Sequence, residues 1–141
     1  MNTLSRAIYS TIAALSLAHV TAHAEILQLS PEEAYTMSST RELILIDVRT
    51  EAEWRDTGVA EGASMITLQD PDFMAKTLLI SDQYPDASIG FICRSGGRSM
   101  AAAQKLDSQI DGPVYNVQEG MQGQSEGEGW IARGLPHAPF E

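Results

Sequence analysis

Short apolar runs alternate with helix-start signals along the chain, and this alternation restricts the possible folds more than any other feature. Residues 43–46 read Leu-Ile-Leu-Ile, a continuous apolar run that is typical of a strand buried on both faces of a parallel sheet. Strands and helices alternating at this spacing predict a single α/β domain, with a mostly parallel central sheet flanked by helices on both faces. The expected strands are 26–29, 43–46, 63–66, 87–92 and 114–117, and the expected helices are 31–38, 50–57, 72–79, 99–106 and 130–133.

Local capping patterns mark where two of these helices begin. Ser30 precedes a proline and two glutamates, an arrangement of N-cap, first helical position and acidic first turn. Thr50 and Glu53 have the spacing of a capping box, in which each side chain bonds the backbone amide of the other residue. In the helix at 72–79, three residues are expected to pack in the core: Phe73, Leu78 and Leu79.

Residues 1–24 have the pattern of a secretory signal peptide. One Arg lies within residues 1–6, residues 7–18 are rich in Ala, Leu and Ile, and residues 22–24 read Ala-His-Ala, a form that signal peptidases cut. The apolar run is shorter than the roughly 20 residues that span a bilayer. We therefore expect cleavage after Ala24, a domain over 25–141, a periplasmic or secreted location and no stable membrane span after processing.

The charge balance excludes some partners. The chain has 19 Asp and Glu against 9 Lys and Arg, for a net charge of −10. Binding of nucleic acid requires clustered basic residues, so nucleic acid is not an expected partner. The acidic residues are scattered, as on a solvated surface.

Cys93 is the only cysteine of the chain, so no internal disulfide can form. After removal of residues 1–24, His137 is the only histidine that remains. Two soft ligands cannot complete a structural zinc site, and we expect no metal. An unpaired Cys in an exported protein is either buried and inert or reactive.

The surroundings of Cys93 favour a reactive thiol. Strand 87–92 leads into a loop, 93–98, that opens an Ala-rich helix. The nucleophilic form of Cys is the thiolate, which nearby cations and helix N-termini stabilise. The glycines allow the loop amides to turn inward as an anion-binding nest, and two Arg forks suit an oxyanion. We therefore expect a catalytic Cys93 that is open to solvent, and a substrate-binding loop of Arg94, Ser95, Gly96, Gly97 and Arg98.

Several motifs together resemble a single-domain rhodanese. They are 43–49 with Glu53, the turn at 62–63, the loop 91–99 and the segment 129–136, so the resemblance spans about 26–136. It implies a sulfurtransferase, in which Cys93 takes the outer sulfur of a small anionic donor such as thiosulfate, holds it as a persulfide and passes it to cyanide or a thiol, including a thiol on a protein. It implies no metal and no organic cofactor. Asp47, Arg49 and Glu53 would support the site structurally.

Two segments depart from the usual rhodanese pattern. Members commonly have Gly-His-Ile-Pro-Gly-Ala after the second helix, whereas residues 58–63 read Gly-Val-Ala-Glu-Gly-Ala. Residues 118–128, rich in Gly and Glu, replace a compact Gly-Gly turn. We expect this 118–128 segment to line the rim of the pocket and to influence the choice of donor or acceptor.

Two other functions remain open at this point. One is a non-catalytic sulfur carrier or partner-binding rhodanese module, consistent with the acidic surface and the unusual 118–128 segment. The other is an oxyanion enzyme of the arsenate reductase or phosphatase kind. Four residues separate Cys93 from Arg98, against five in related phosphatase loops, and the shorter ring favours a single sulfur atom over a phosphoryl group. The two loop arginines lead us to expect thiosulfate as the donor.

Overall fold

The computed structural model describes residues 25–141 and contains one five-stranded sheet and a separate two-stranded pair. The expected signal peptide lies outside the described residues. The strands are β1 (Ile26–Leu29), β2 (Leu43–Asp47), β3 (Val59–Ala60), β4 (Ser64–Met65), β5 (Ser88–Ile92), β6 (Val114–Val117) and β7 (His137–Ala138). The helices are α1 (Pro31–Ser39), α2 (Glu51–Thr57), α3 (Phe73–Gln83), α4 (Gly97–Asp107) and α5 (Gly129–Ala132).

The main sheet has the strand order β1-β6-β5-β2-β4, and all four pairings are parallel. This confirms the α/β fold with a mostly parallel sheet. The pair of β3 and β7 is antiparallel and joins the C-terminal residues to the segment after α2. Within residues 25–141, no helix combines the length and the apolar character needed to span a membrane.

Side chains alternate between two cores, one on each face of the sheet. On β5, Ile89 and Phe91 belong to one core, which α3 and α4 cover, while Ile92 points to the other. The second core contains the fully buried Trp130 of α5 and Ala34 of α1. Because each core has its own pair of helices, helices lie on both faces as expected.

Both predicted helix starts are present with their side-chain bonds. Ser30 and Glu33 form a capping box at α1, and Thr50 and Glu53 form one at α2. Gly58 follows α2 with a φ of 76°, a left-handed value that favours glycine. The two capping boxes confirm the predicted N-terminal ends of α1 and α2.

Helix α3 is longer than the predicted 72–79 and differs in one packing residue. Phe73 is buried and Leu78 packs against the same core, but the side chain of Leu79 is 59% exposed. The prediction that Leu79 packs in the core was wrong, because the helical repeat places it on the solvent side of α3. Thr77 is the buried residue of this turn, and a residue two positions later lies on nearly the opposite face.

Candidate active site

The candidate site lies at the carboxyl edge of the sheet, where two neighbouring strands end level with each other. Asp47 at the end of β2 pairs in register with Ile92 at the end of β5. The amide of Val48 then donates to the carbonyl of Ile92 at 3.0 Å. Cys93 follows directly, so the thiol is held next to the middle of the sheet, where open α/β sheets commonly bind ligands.

The Cys93 sulfur has two hydrogen-bonding neighbours from its own loop and helix. The Gly96 amide donates to Sγ at 3.1 Å, and the Ser99 Oγ lies 3.2 Å from Sγ. Gly96 has a φ of 97° and precedes α4, which turns its amide toward the sulfur. The Ser99 hydroxyl donates its one proton to the Gly96 carbonyl at 3.1 Å, so in this arrangement it faces Sγ as an acceptor, and it donates to Sγ only after the hydroxyl rotates.

The structure differs from the sequence expectation on how open the sulfur is. We expected Cys93 to face solvent within a ring of amides, but the residue is 1% exposed. Among residues 25–141, one main-chain amide, that of Gly96, donates a hydrogen bond to its sulfur. Its own main chain is covered by the 118–128 segment. Ser99 was missed by sequence reasoning, although a hydroxyl one turn inside the helix that follows a Cys loop is a usable signal.

Arg98 does not present a free fork. Its two terminal nitrogens bind the Glu53 carboxylate at 2.7 and 2.6 Å, a bidentate ion pair of the strong kind. Arg98 lowers the pKa of Glu53 to about 2, helped by the bonds from Thr50, while burial acts in the opposite direction. The hydrogen bonds between Arg98 and Glu53 in turn raise the pKa of Arg98. The expectation that Arg98 offers its fork to an anion is therefore corrected, because Glu53 occupies it.

Arg94 and Ser95 differ from Arg98 in being exposed on the loop. Within residues 25–141, the Arg94 guanidinium takes part in no ion pair or side-chain hydrogen bond. Gly97 begins α4, and a side chain there would meet no neighbour. Arg94 is thus the loop cation that remains available to an anionic ligand.

Asp47 and Arg49 form a buried pair that makes no side-chain hydrogen bond to the 93–98 loop. The Arg49 Nη2 lies 2.8 Å from Asp47 Oδ2, and the two residues are 1% and 0% exposed. Arg49 also donates to the Thr57 hydroxyl at 2.7 Å and to the Gly58 carbonyl at 2.8 Å. These contacts join the end of β2 to the end of α2, as residues of a scaffold do.

The 118–128 segment packs directly on the Cys93 loop. The Met121 amide donates to the Cys93 carbonyl at 2.8 Å, and the Gln122 amide donates to the Arg94 carbonyl at 2.9 Å. Gly120 makes this approach possible: its φ is 64°, and a Cβ there would lie 2.5 Å from the Arg94 carbonyl. These contacts were not predictable from the pattern of the segment, and they link it to the position of the thiol.

An ion pair between the buried Glu119 and the exposed Arg133 also holds the 118–128 segment. The Glu119 carboxylate accepts two bonds at 2.8 Å from Arg133 and one at 3.0 Å from the Gly129 amide. Arg133 is the main cause of the lowered pKa of Glu119. Arg133 also binds Glu32 of α1 at 2.8 Å. The segment is therefore fixed to α5 and α1 as well as to the loop.

Residues 123–127 read Gly-Gln-Ser-Glu-Gly, which is the G-x-S-x-G spacing of a hydrolase nucleophile elbow. Such an elbow needs a strand before the serine and a helix after it. Here Gln124 and Gly127 form a small antiparallel bridge, and Ser125 is exposed in the turn between them. The motif is therefore a tight turn and not a serine nucleophile site.

A cavity of about 430 Å³ lies beside the loop. The residues that line it come from α2, the loop, the 118–128 segment and α5: Thr57, Arg94, Met121, Gln122, Glu128, Ile131 and Ala132. Three of the seven belong to the 118–128 segment, so this segment lines the cavity beside the loop, while Cys93 is not among the lining residues.

The chain is similar to several known proteins in sequence and in fold. Residues 30–126 match the family model described as the rhodanese-like domain. An uncharacterized protein of Rickettsia rickettsii is 33% identical over 111 residues, which are 74% of this chain and 90% of that protein. A sulfurtransferase of Allochromatium vinosum is 31% identical over 100 residues, 71% of this chain and 82% of that protein. The crystal structure of Rv0390 from M. tuberculosis superposes with a TM-score of 0.67 at 29% identity, and covers 83% of this chain and 99% of that one.

Proposed function

The chain belongs to the rhodanese-like domain family, and from that premise we propose that it is an exported sulfurtransferase that carries sulfane sulfur as a persulfide on Cys93. The observation that carries the proposal is the pair of polar groups at the sulfur: the Gly96 amide donates to it at 3.1 Å, and the Ser99 hydroxyl, 3.2 Å away, can turn its one proton from the Gly96 carbonyl to a charged sulfur. Hydrogen bonds to an ionised acceptor are about twice as strong as neutral ones. These groups can therefore bond the charged sulfur that each half of the transfer requires.

In the first half of the reaction, the Cys93 thiolate attacks the outer sulfur of thiosulfate or a similar donor. The sulfur–sulfur bond of the donor breaks, its electron pair leaves with sulfite, and Cys93 keeps the outer sulfur as a persulfide. Arg94 is exposed and unpaired within residues 25–141, so it can hold the anionic end of the donor. Splitting the transfer into two displacements is covalent catalysis.

In the second half, cyanide or a thiolate attacks the terminal sulfur of the persulfide. The bond between the two sulfurs breaks, Cys93 returns as a thiolate, and thiocyanate or a new persulfide leaves. Charge and atoms balance in both halves without an external oxidant, and we propose that neither half uses a metal or an organic cofactor. The signal peptide pattern of residues 1–24 supports the proposed export.

The burial of the sulfur supports a second candidate, a sulfur carrier with slow turnover. Cys93 is 1% exposed, so a donor or acceptor reaches it only when the surrounding loop moves. A specific protein partner that opens the loop would make the domain a carrier and not a general enzyme. The phosphatase alternative is weaker, because the Arg98 fork that a phosphoryl group would need is filled by Glu53.

The test is the intact mass of the protein after incubation with thiosulfate or with 3-mercaptopyruvate. We expect a gain of one sulfur atom, discharge of that sulfur by cyanide as thiocyanate, and loss of both in Cys93→Ser. Turnover of many equivalents supports the enzyme, whereas stoichiometric loading with turnover near background supports the carrier. No mass gain with either donor refutes both, and hydrolysis of an aryl phosphate that disappears in Cys93→Ser would revive the phosphatase.

A further inference from the structure

The cavity beside the Cys93 loop is larger than the proposed small anions require. Its volume is about 430 Å³, within the range of roughly 300–1,000 Å³ that is typical of sites for organic ligands. Met121, Ile131 and Ala132 give it apolar wall. Cyanide has two atoms and no apolar surface, so it would leave most of this space to water.

The cavity carries one charge of each sign. The Arg94 guanidinium lines it from the loop, and the Glu128 carboxylate lines it from the end of the 118–128 segment. Both residues are exposed, and within residues 25–141 neither forms an ion pair, with each other or with a third group. A small anion would be attracted by Arg94 and repelled by Glu128, whereas a zwitterion can satisfy both charges.

The cavity is also connected to the thiol through the main chain. Met121 and Gln122, which line it, bond through their amides to the carbonyls of Cys93 and Arg94. A ligand in the cavity therefore lies against the same loop that holds the sulfur. Cys93 itself does not line the cavity and is 1% exposed, so an acceptor bound here reaches a persulfide on the sulfur when the loop moves.

Building on the proposed sulfurtransferase function, we propose that this cavity binds the acceptor, and that the acceptor is a small organic thiol with both a carboxylate and an ammonium group. Arg94 binds the carboxylate, Glu128 binds the ammonium group, and the apolar wall contacts the carbon atoms between them. The acceptor thiol releases its proton to solvent, and its thiolate attacks the terminal sulfur of the persulfide. The bond to the Cys93 sulfur breaks, and the acceptor leaves with the transferred sulfur as its own persulfide.

The test measures the discharge of thiosulfate-loaded protein by L-cysteine, cysteamine, N-acetylcysteine and 2-mercaptoethanol. Glu128→Gln is the test variant, and Glu126→Gln is its control, because Glu126 is an exposed acid of the same segment that does not line the cavity. For each thiol the variant is compared with the unchanged protein, so differences in intrinsic thiol reactivity cancel.

We expect Glu128→Gln to raise the KM for L-cysteine and cysteamine by about threefold or more relative to the two thiols without an ammonium group, the effect of one partly exposed ion pair. Glu126→Gln should leave all four values unchanged. Equal effects of Glu128→Gln on all four thiols, or equal effects of the two variants, would overturn the proposal.

A binding measurement separates this proposal from the sulfurtransferase function itself. S-methyl-L-cysteine is a zwitterion that cannot accept sulfur, so its binding does not depend on a persulfide. Calorimetry should show that its Kd weakens by about threefold in Glu128→Gln and stays constant in Glu126→Gln. Loss of persulfide loading with this binding intact refutes the sulfur transfer and leaves the cavity assignment standing, whereas normal loading without selective binding refutes the cavity assignment alone.

Discussion

Replacing Glu53 by Gln should destabilise the fold in a pH-dependent way. The pKa of Glu53 is about 2 in the folded protein, against an ordinary value of 4.5. Each pKa unit corresponds to about 1.4 kcal/mol, so the charge on Glu53 contributes at most about 3 kcal/mol. The side chains of Glu53 and Arg98 are 28% and 33% exposed, and solvent screening reduces the expected loss to about 2 kcal/mol at pH 7.

The pH dependence follows from the direction of the shift. Because the folded pKa lies below the unfolded one, the stabilisation by Glu53 is present above about pH 4.5 and is lost as the pH falls toward about 2. Gln resembles the protonated carboxyl group and can still serve in the capping box. The difference between the two proteins should therefore be largest near neutrality and should disappear near pH 2.

Urea unfolding at a series of pH values from 7 to 2 measures this difference. Glu51→Gln is the matched control, because Glu51 lies on the same helix and its ion pair with Arg55 is 61% and 57% exposed. Such a surface pair contributes only about 0–1 kcal/mol. A loss at pH 7 no larger for Glu53→Gln than for Glu51→Gln, or a difference that persists unchanged at pH 2, would refute the reasoning.

Three other substitutions test the contacts around the thiol. Gly120→Ala should lower the melting temperature more than Gly62→Ala. Both glycines have a positive φ, but of these two positions only Gly120 would bring a Cβ against a neighbour, at 2.5 Å. Equal losses of melting temperature would contradict the close approach at Gly120. Ser99→Ala should slow persulfide formation, followed by mass spectrometry, about tenfold, which is the effect of one hydrogen bond to a charged atom. Ser95→Ala alters an exposed loop hydroxyl and should not slow it. Equal rates in the two variants would exclude this role of Ser99. Glu119→Gln weakens the ion pair with Arg133, so amide hydrogen exchange should increase across the 118–128 segment. Unchanged protection there would show that the pair does not hold the segment.

The sequence predicted the parts of the molecule that depend on neighbours along the chain. The two capping boxes and the strand before Cys93 follow from patterns a few residues long, and the structure contains them. The partner of Arg98 was not predicted, because Glu53 lies 45 positions away in the sequence and already had a local role as a capping residue. The capping role and the ion pair are both present in the structure, on the same carboxylate.

The burial of Cys93 was missed for a related reason. Its side chain belongs to the core that α3 and α4 cover, and its main chain is covered by residues that lie almost thirty positions later, whose approach depends on the left-handed conformation of Gly120. A Gly-rich segment predicts flexible or tight turns, but composition does not specify which main-chain groups such a turn contacts. Long-range backbone contacts of this kind become visible only in three dimensions.

The charges and the hydrogen bonds at the site have separate effects. Glu53 neutralises Arg98, so this pair contributes to stability and leaves Arg94 as the loop cation that a ligand can use. The groups recorded on the sulfur, the Gly96 amide and the Ser99 hydroxyl, are uncharged. Since Ser99 lies at contact distance from the sulfur and Glu53 does not bond it, persulfide formation should depend more on Ser99 than on the Glu53 pair, even though removing the Glu53 charge costs the fold more. A Glu53→Gln protein that remains folded should therefore still load sulfur, and a Ser99→Ala protein that remains folded should load it slowly.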